Sequence, residues 1–212
     1  MFCLKHCRQF GELRRRGIDG AGVEPSSHAR GRCRDLFDGP VYEDIDAAAA
    51  AGQQYDAAVL LFSLEHLPAP VRALQTIHGM LSEGGVVVIR VPNIDSLESQ
   101  VFGPRWFQVH LPAHCFHFNP HSLARLLDRS GFDVLELDTD FTPQGAISAP
   151  CSMFPRLGSA FLSSSRMGRG RQLLVRGALA GVSLAFLPLV FAECALGRGP
   201  ILTVLARRRE RI

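Results

Sequence analysis

Apolar and polar positions along the 212 residues alternate between two periods, and the alternation outlines strands interleaved with helices. The clearest strand is YDAAVLLFS, residues 55–63, a nearly unbroken apolar run of the kind buried on both faces of a parallel sheet. VVVIRVP is a second buried strand, ended by Pro92. Shorter strands are predicted over 21–23 and 40–42, and alternating ones over DVLELD and ILTVLARR. Between them the spacing is helical: over 4–16, closed by Arg14, Arg15, Arg16 and Gly17; after a cap at Ser26 or Ser27; along the alanines 47–51; and over 71–81, stopped by Gly84 and Gly85. A further helix opens at Asn119 and Pro120 and closes at Gly131. Strands repeatedly separated by helices specify an α/β fold, a mostly parallel sheet with helices on both faces.

Composition narrows the class. With 47% apolar and 20% charged residues the chain buries a real core, as one compact domain with an appendage. Net charge is only +3, Lys5 is the sole lysine, and no basic stripe interleaved with aromatics precedes residue 166, so nucleic acid is not an expected partner. Six cysteines are scattered without disulfide-scaffold or metal-ligand spacing, and the first residues lack a signal-peptide pattern; both favour a reduced, cytoplasmic setting. Cys3, His6 and Cys7 can share a helical face, but a structural zinc site needs four ligands and no second pair follows.

Chemistry first surfaces at Glu24, which closes the short strand of GIDGAGVEPSSHAR. In an open α/β sheet, ligands sit beyond the carboxyl ends of the strands, and a carboxylate there can accept two hydrogen bonds from a ribose diol. A solvated glutamate capping the next helix is the alternative.

GVEPS, YDAAVLLFSLEHLPAP, LSEGGVVVIRVPN and FGPRWFQVHLPAHCFHFNPHSLARLLDRSGF, in that order and spacing, resemble class I S-adenosylmethionine-dependent methyltransferases. The likeness is to the group of ubiquinone-type enzymes and enzymes of sugar and surface-polysaccharide pathways. It implies a Rossmann-like fold with a closing antiparallel hairpin made by DVLELD and ILTVLARR, and S-adenosyl-L-methionine as cofactor. Glu24 then matches the acid that binds the cofactor ribose. Asp44, in preference to Glu43, matches the acid near adenine. Phe62, Ser63 and Leu64 match the strand end whose backbone lines the methionine part. Glu65 and His66 match a structural pair, which in some ubiquinone-type relatives joins an acid three residues earlier to hold a metal. Phe62 stands at that place, so no metal is expected. His114 is similar in position to a histidine thought to act as base in sugar C-methyltransferases, and His117 is a second candidate. Imidazole suits that task because it titrates near neutrality; the alternative is a histidine bound to loop backbone. Trp106 and Phe107 are expected to pack a lid or to form a substrate platform.

The same resemblance calls for a first strand and a glycine-rich turn finishing near residue 7, yet MFCLKHC has neither glycine nor a strand-length apolar run. A missing or degenerate first strand is therefore expected, in a truncated or decayed chain, with two unpaired edges inside the sheet.

Residues 173–197 form the longest apolar stretch, uncharged from Gly177 to Ala192 and preceded by Arg166, Arg169 and Arg171. Roughly 20 such residues span a bilayer, but a single crossing would separate two strands that ought to pair. Peripheral contact with anionic lipid at the inner membrane face, internal packing and a true span all stay open, peripheral contact being favoured. The expected organisation is a methyltransferase-like core over 1–150, an apolar helical insertion over 151–199, and a final strand with a basic tail over 200–212. The expected function is methyl transfer to a small-molecule or glycan acceptor, including a lipid-linked one. The alternatives are a non-catalytic remnant or interaction module, and, more weakly, a nucleotide-linked reductase.

Overall fold

The structure is a computed structural model that describes residues 2–4, 15–139, 142–164 and 167–210. Most of the helix expected over 4–16, and the side chains of Cys3, His6 and Cys7, lie outside the described residues.

Among the described residues, seven strands, β1 (Phe2–Leu4), β2 (Ala21–Val23), β3 (Val41–Tyr42), β4 (Tyr55–Leu61), β5 (Leu81–Pro92), β6 (Phe132–Thr139) and β7 (Ile201–Arg208), form one sheet in the order β3-β2-β1-β4-β5-β7-β6. All pairings from β3 through β5 are parallel. The sheet closes on an antiparallel pair of C-terminal strands. This is the Rossmann-like architecture that the alternation of strand and helix patterns calls for.

Of the two alternatives for the first strand, missing or degenerate, the missing one is corrected, and with it the unpaired interior edges. The place between β2 and β4 is not empty: Phe2–Leu4 fills it, with Cys3 opposite Gly22 on one side and Val59 on the other. Three residues suffice because both neighbours are parallel and their backbone groups supply the pairing that an isolated strand of that length lacks. The two interior edges are thus joined. The cysteine spacing also gave no sign of a disulfide, yet Cys33, wholly buried, is disulfide-bonded.

A second difference lies at β5. Gly84 and Gly85 do not stop the preceding helix, which ends at Met80; the strand starts at once, with Leu81 opposite Tyr55. The pairing then resumes with Val86 opposite Ala57, so residues 82–85 bulge out against Asp56 alone. Leu81 is fully buried and pins the chain to the sheet before the bulge, while Gly84, at φ 70°, supplies the left-handed turn.

The chain divides into two compact units, one comprising residues 1–91, 120–137 and 203–212, the other 92–119 and 138–202. The first holds most of the sheet with the helices α1 (Ser27–Leu36), α2 (Ile45–Ala50), α3 (Pro70–Met80) and α5 (Pro120–Arg129); α4 (Leu97–Phe102) belongs to the second. Leu74 and Ile77 of α3 and Leu123 and Leu127 of α5 recur at helical spacing and are fully buried, as are Leu60, Val87, Ile89 and Val204 of the strands. Each such side chain contributes about 1.5–3 kcal/mol of burial. Gly131 closes α5 at φ 88°.

The second unit is mainly helical: α4, then α6 (Pro143–Met153), α7 (Pro155–Ser163) and α8 (Arg169–Ala195), with α8 packed along α6 and α7. Its core is of a different kind. Trp106, Ala149, Leu179 and Val190 are buried, but so are Glu98, Ser148, Ser152, Ser183 and Glu193.

Candidate functional site

In the first unit the parallel strands deliver three loops to one end of the sheet. Glu24 directly follows β2, and its backbone N–H donates to the Tyr42 carbonyl at 2.9 Å, so its position is fixed by the sheet rather than by the loop. Its side chain is 8% exposed. One carboxylate oxygen accepts from the Ser26 N–H at 3.0 Å, and Arg30 Nη1 donates to the Glu24 carbonyl at 2.8 Å. Ser26 meanwhile caps α1, its hydroxyl accepting from the Ala29 N–H. The carboxylate is therefore held by the turn into the helix while keeping acceptor capacity for a further ligand.

Asp44 caps α2, accepting from the Ala47 N–H at 2.7 Å. It also lines a cleft of about 300 Å³ together with Val23, Pro25, Ile45, Leu67 and Ala69. Glu43 points elsewhere, its carboxylate lying 3.7 Å from Arg30 Nη2 in an exposed pair. The walls of the cleft are apolar and its rim carries an exposed Arg72–Asp46 ion pair at 2.9 Å.

Phe62, Ser63 and Leu64 are not among the residues lining this cleft. They form the turn after β4. Phe62 sits at φ 52°, a left-handed conformation that is unusual for a bulky side chain, and its N–H still donates to the Arg90 carbonyl at 2.8 Å. Ser63 is buried with its hydroxyl donating to the Leu61 carbonyl, and Leu64 is wholly buried. The neighbouring strand, through the Arg90 carbonyl, holds the turn in that costly conformation. Leu67, Pro68 and Ala69, which close the cleft, are the residues that sequence reasoning missed; the proline-rich run LPAP was the available signal.

In the second unit, the loop of residues 107–118 is organised by histidines. His114 is buried, and its Nδ1 lies 2.7 Å from the Gln108 carbonyl. A carbonyl only accepts, so Nδ1 carries the proton, and in the neutral ring Nε2 keeps the lone pair. His117 uses Nε2 in the same way toward the Val109 carbonyl at 3.0 Å. The ring of His114 packs edge-on against those of His110 and His117, at centroid separations of 5.1 and 6.1 Å. The contact with the Gln108 carbonyl is the loop-fixing role weighed for His114.

Trp106 is a buried anchor, not an exposed platform: its indole N–H is shared between Glu98 Oε2 at 3.2 Å and Ser148 Oγ at 3.1 Å. Ser152 in turn takes the Phe107 N–H at 2.8 Å. Glu98 and Glu193 were not foreseen. Burial pushes the Glu98 carboxyl up to about 7, against hydrogen bonds from Ser148, Trp106 and the Ala149 backbone that pull it down. Burial and the charge of Glu98 push Glu193 up to about 7 as well, although the Glu98 backbone N–H donates to it. Among the described residues, Glu98 Oε1 and Glu193 Oε2 are buried without a hydrogen-bond partner. The neutral, protonated form of these carboxyls fits such surroundings near neutral pH.

Comparison with known proteins agrees with this geometry. No curated protein matches the sequence significantly. Among solved structures, the chain is similar to a SAM-dependent methyltransferase from Archaeoglobus fulgidus, at 16% identity and a TM-score of 0.59 over 98% of this chain and 85% of that one. It is also similar to an S-adenosylmethionine-dependent methyltransferase from Mesorhizobium loti, at 17% identity and a TM-score of 0.55 over 98% and 89%. The cyclase SpnF superposes too, at 15% identity and a TM-score of 0.58 over 99% and 74%. At these identities the likeness concerns the fold. The sequence model for a methyltransferase domain matches residues 5–137, more than half of the chain, and on that match the protein belongs to the methyltransferase domain family.

Proposed function

We propose that this chain is an S-adenosyl-L-methionine-dependent methyltransferase acting in the cytoplasm on a small-molecule or glycan acceptor, of the ubiquinone-type or sugar-pathway group. Family membership, and neighbours that are themselves SAM-dependent methyltransferases, support that cofactor. The observation that carries the reading is the buried Glu24 carboxylate at the end of β2, which does not itself line the apolar cleft but stands in sequence between Val23 and Pro25, which do, with Asp44 at the cleft's edge. The residues fit the group. A cleft of about 300 Å³ matches a heterocycle such as adenine, and Glu24 retains lone pairs for a diol after accepting the Ser26 N–H.

When bound, the cofactor supplies a methyl group already activated on a sulfonium centre, so the protein has little chemistry left to add. Glu24 would grip the ribose hydroxyls through charge-assisted hydrogen bonds. Asp44 and the walls formed by Pro25, Ile45 and Leu67 would hold the base. The strained turn at Phe62 and Ser63 would fix the backbone along the methionine part. Where the acceptor loses a proton, His114, with His117 as the second candidate, is the base that the resemblance to sugar C-methyltransferases suggests.

The test is transfer of label from methyl-tritiated cofactor to lipid-extracted and to water-soluble acceptor pools. The proposal expects labelled product in one pool, lost in Glu24→Ala. Removing a general base costs on the order of 10²–10⁴ in rate, so His114→Gln should fall by that range. No label in either pool, together with no cofactor binding, would sink the reading.

A further inference from the structure

We propose that the face formed by α6, α7 and α8 is a docking surface for an anionic membrane, on which the protein lies without crossing. The claim goes beyond methyl transfer and rests on the second unit alone.

The first observation is exposure. α8 is 27 residues long, about 40 Å at 1.5 Å per residue. It buries a narrow stripe, Leu179, Ser183, Val190 and Glu193, against its helical neighbours. Most of the other positions are exposed or half-buried, with Leu173 71%, Leu174 73% and Leu184 67% exposed, and Phe191 exposed likewise. Met153 on α6, Phe154 between the helices and Leu162 on α7 are exposed as well. Apolar patches of such extent are rarely left to water.

The second observation is charge, and it selects the occupant. Between Asp140 and Glu193 the sequence contains no acid at all, yet carries Arg156, Arg166, Arg169, Arg171 and Arg176. The chain's net charge is +3, so everything outside this segment is slightly acidic. Arg169, Arg171 and Arg176 stand on the first two turns of α8, where the helix dipole is also positive. Exposed leucines beside arginines match a bilayer interface whose headgroups carry phosphate and negative charge. A second copy of the chain would set the same arginines face to face, which opposes a symmetric dimer through this surface. A single crossing by α8 is excluded by topology, since β6 and β7, which bracket the segment, are neighbours in one sheet. Docking flat leaves those strands on one side.

Flotation of the full chain with phosphatidylcholine vesicles, with and without phosphatidylglycerol, tests this. The expected result is binding only to the anionic vesicles, falling as salt is raised. Replacing Arg169, Arg171 and Arg176 by Gln should weaken it roughly fivefold per arginine. Leu174→Asn and Leu184→Asn should each weaken it about tenfold, and circular dichroism checks that these exposed substitutions leave the fold intact. Equal binding to neutral and anionic vesicles would overturn the proposal. So would a lipid-free dimer that the leucine substitutions dissociate, or failure to float at low salt. Methyl transfer is not read in this experiment, so the two claims fail separately.

Discussion

The two units bury different mixtures. The first packs leucine, isoleucine and valine between sheet and helices and, although it encloses Glu24 and Glu65, keeps its other carboxylates at loops and surfaces, where Asp44 caps a helix and Asp46 pairs with Arg72. The second encloses Glu98, Glu193, Ser148 and Ser183 while leaving Leu173, Leu174, Leu184 and Phe191 outside. A core of the first kind is stabilised by transfer of apolar surface from water. A core of the second kind depends on hydrogen-bond satisfaction and on neutral carboxyls, and its outer surface suits a less polar medium. The contrast teaches that one chain can combine a water-adapted sheet with a helical layer whose polarity is partly inverted.

The largest expected effect falls on the buried network of the second unit. Trp106→Ala removes its largest wholly buried side chain and the shared donor to Glu98 and Ser148, and should cost about 3–5 kcal/mol. Denaturant melts followed by circular dichroism read this loss, and an unchanged midpoint would remove the contrast between the units.

Next comes pH. Glu98 and Glu193 hold their protons up to about pH 7 when folded, against an ordinary value of 4.5. Between those values the unfolded chain ionises first, so the folded form binds more protons and stability falls as pH rises. Below about 4.5 the two carboxyls contribute no such penalty, and above about 7 the penalty is complete. Glu98→Gln should flatten this dependence and stabilise the second unit at pH 8 by about 2 kcal/mol. A pH-independent midpoint from 5 to 8 would show the carboxyls to be hydrated.

Smaller effects belong to the first unit. Gly131→Ala forces an alanine to φ 88° and brings its Cβ to 3.0 Å from the His78 ring, for a cost of about 1–2 kcal/mol. Asp46→Asn breaks an ion pair whose side chains are both largely exposed, and should change stability by about 0.5 kcal/mol or less. If that exposed pair mattered as much as Trp106, the distinction between the units would fail.

The sequence made the first unit largely legible because its strands are continuous apolar runs and its helices carry caps: β4, α3 and α5 stand where periodicity puts them, and Ser26 caps α1 as expected. β1 was hidden because three residues flanked by two parallel neighbours need no propensity of their own. The bulge at 82–85 was misread as a helix stop, since Gly-Gly marks either. Glu24 and Asp44 were visible as acids at strand ends, whereas Leu67, Pro68 and Ala69 reach the cleft only through tertiary folding. The grouping of residues 92–119 with 138–202 has no local signature, and Glu98, an ordinary helix-start acid in sequence, acquires its raised pKa only from that packing.

The most direct measurement is calorimetric titration of the full chain with S-adenosylhomocysteine, beside the Glu24→Ala variant. The account predicts saturable binding by the parent chain. It also predicts at least about tenfold weaker binding in the variant, from the loss of charge-assisted hydrogen bonds worth about 1.5–3 kcal/mol. Absence of binding to the parent chain, or equal affinity in both, would contradict it.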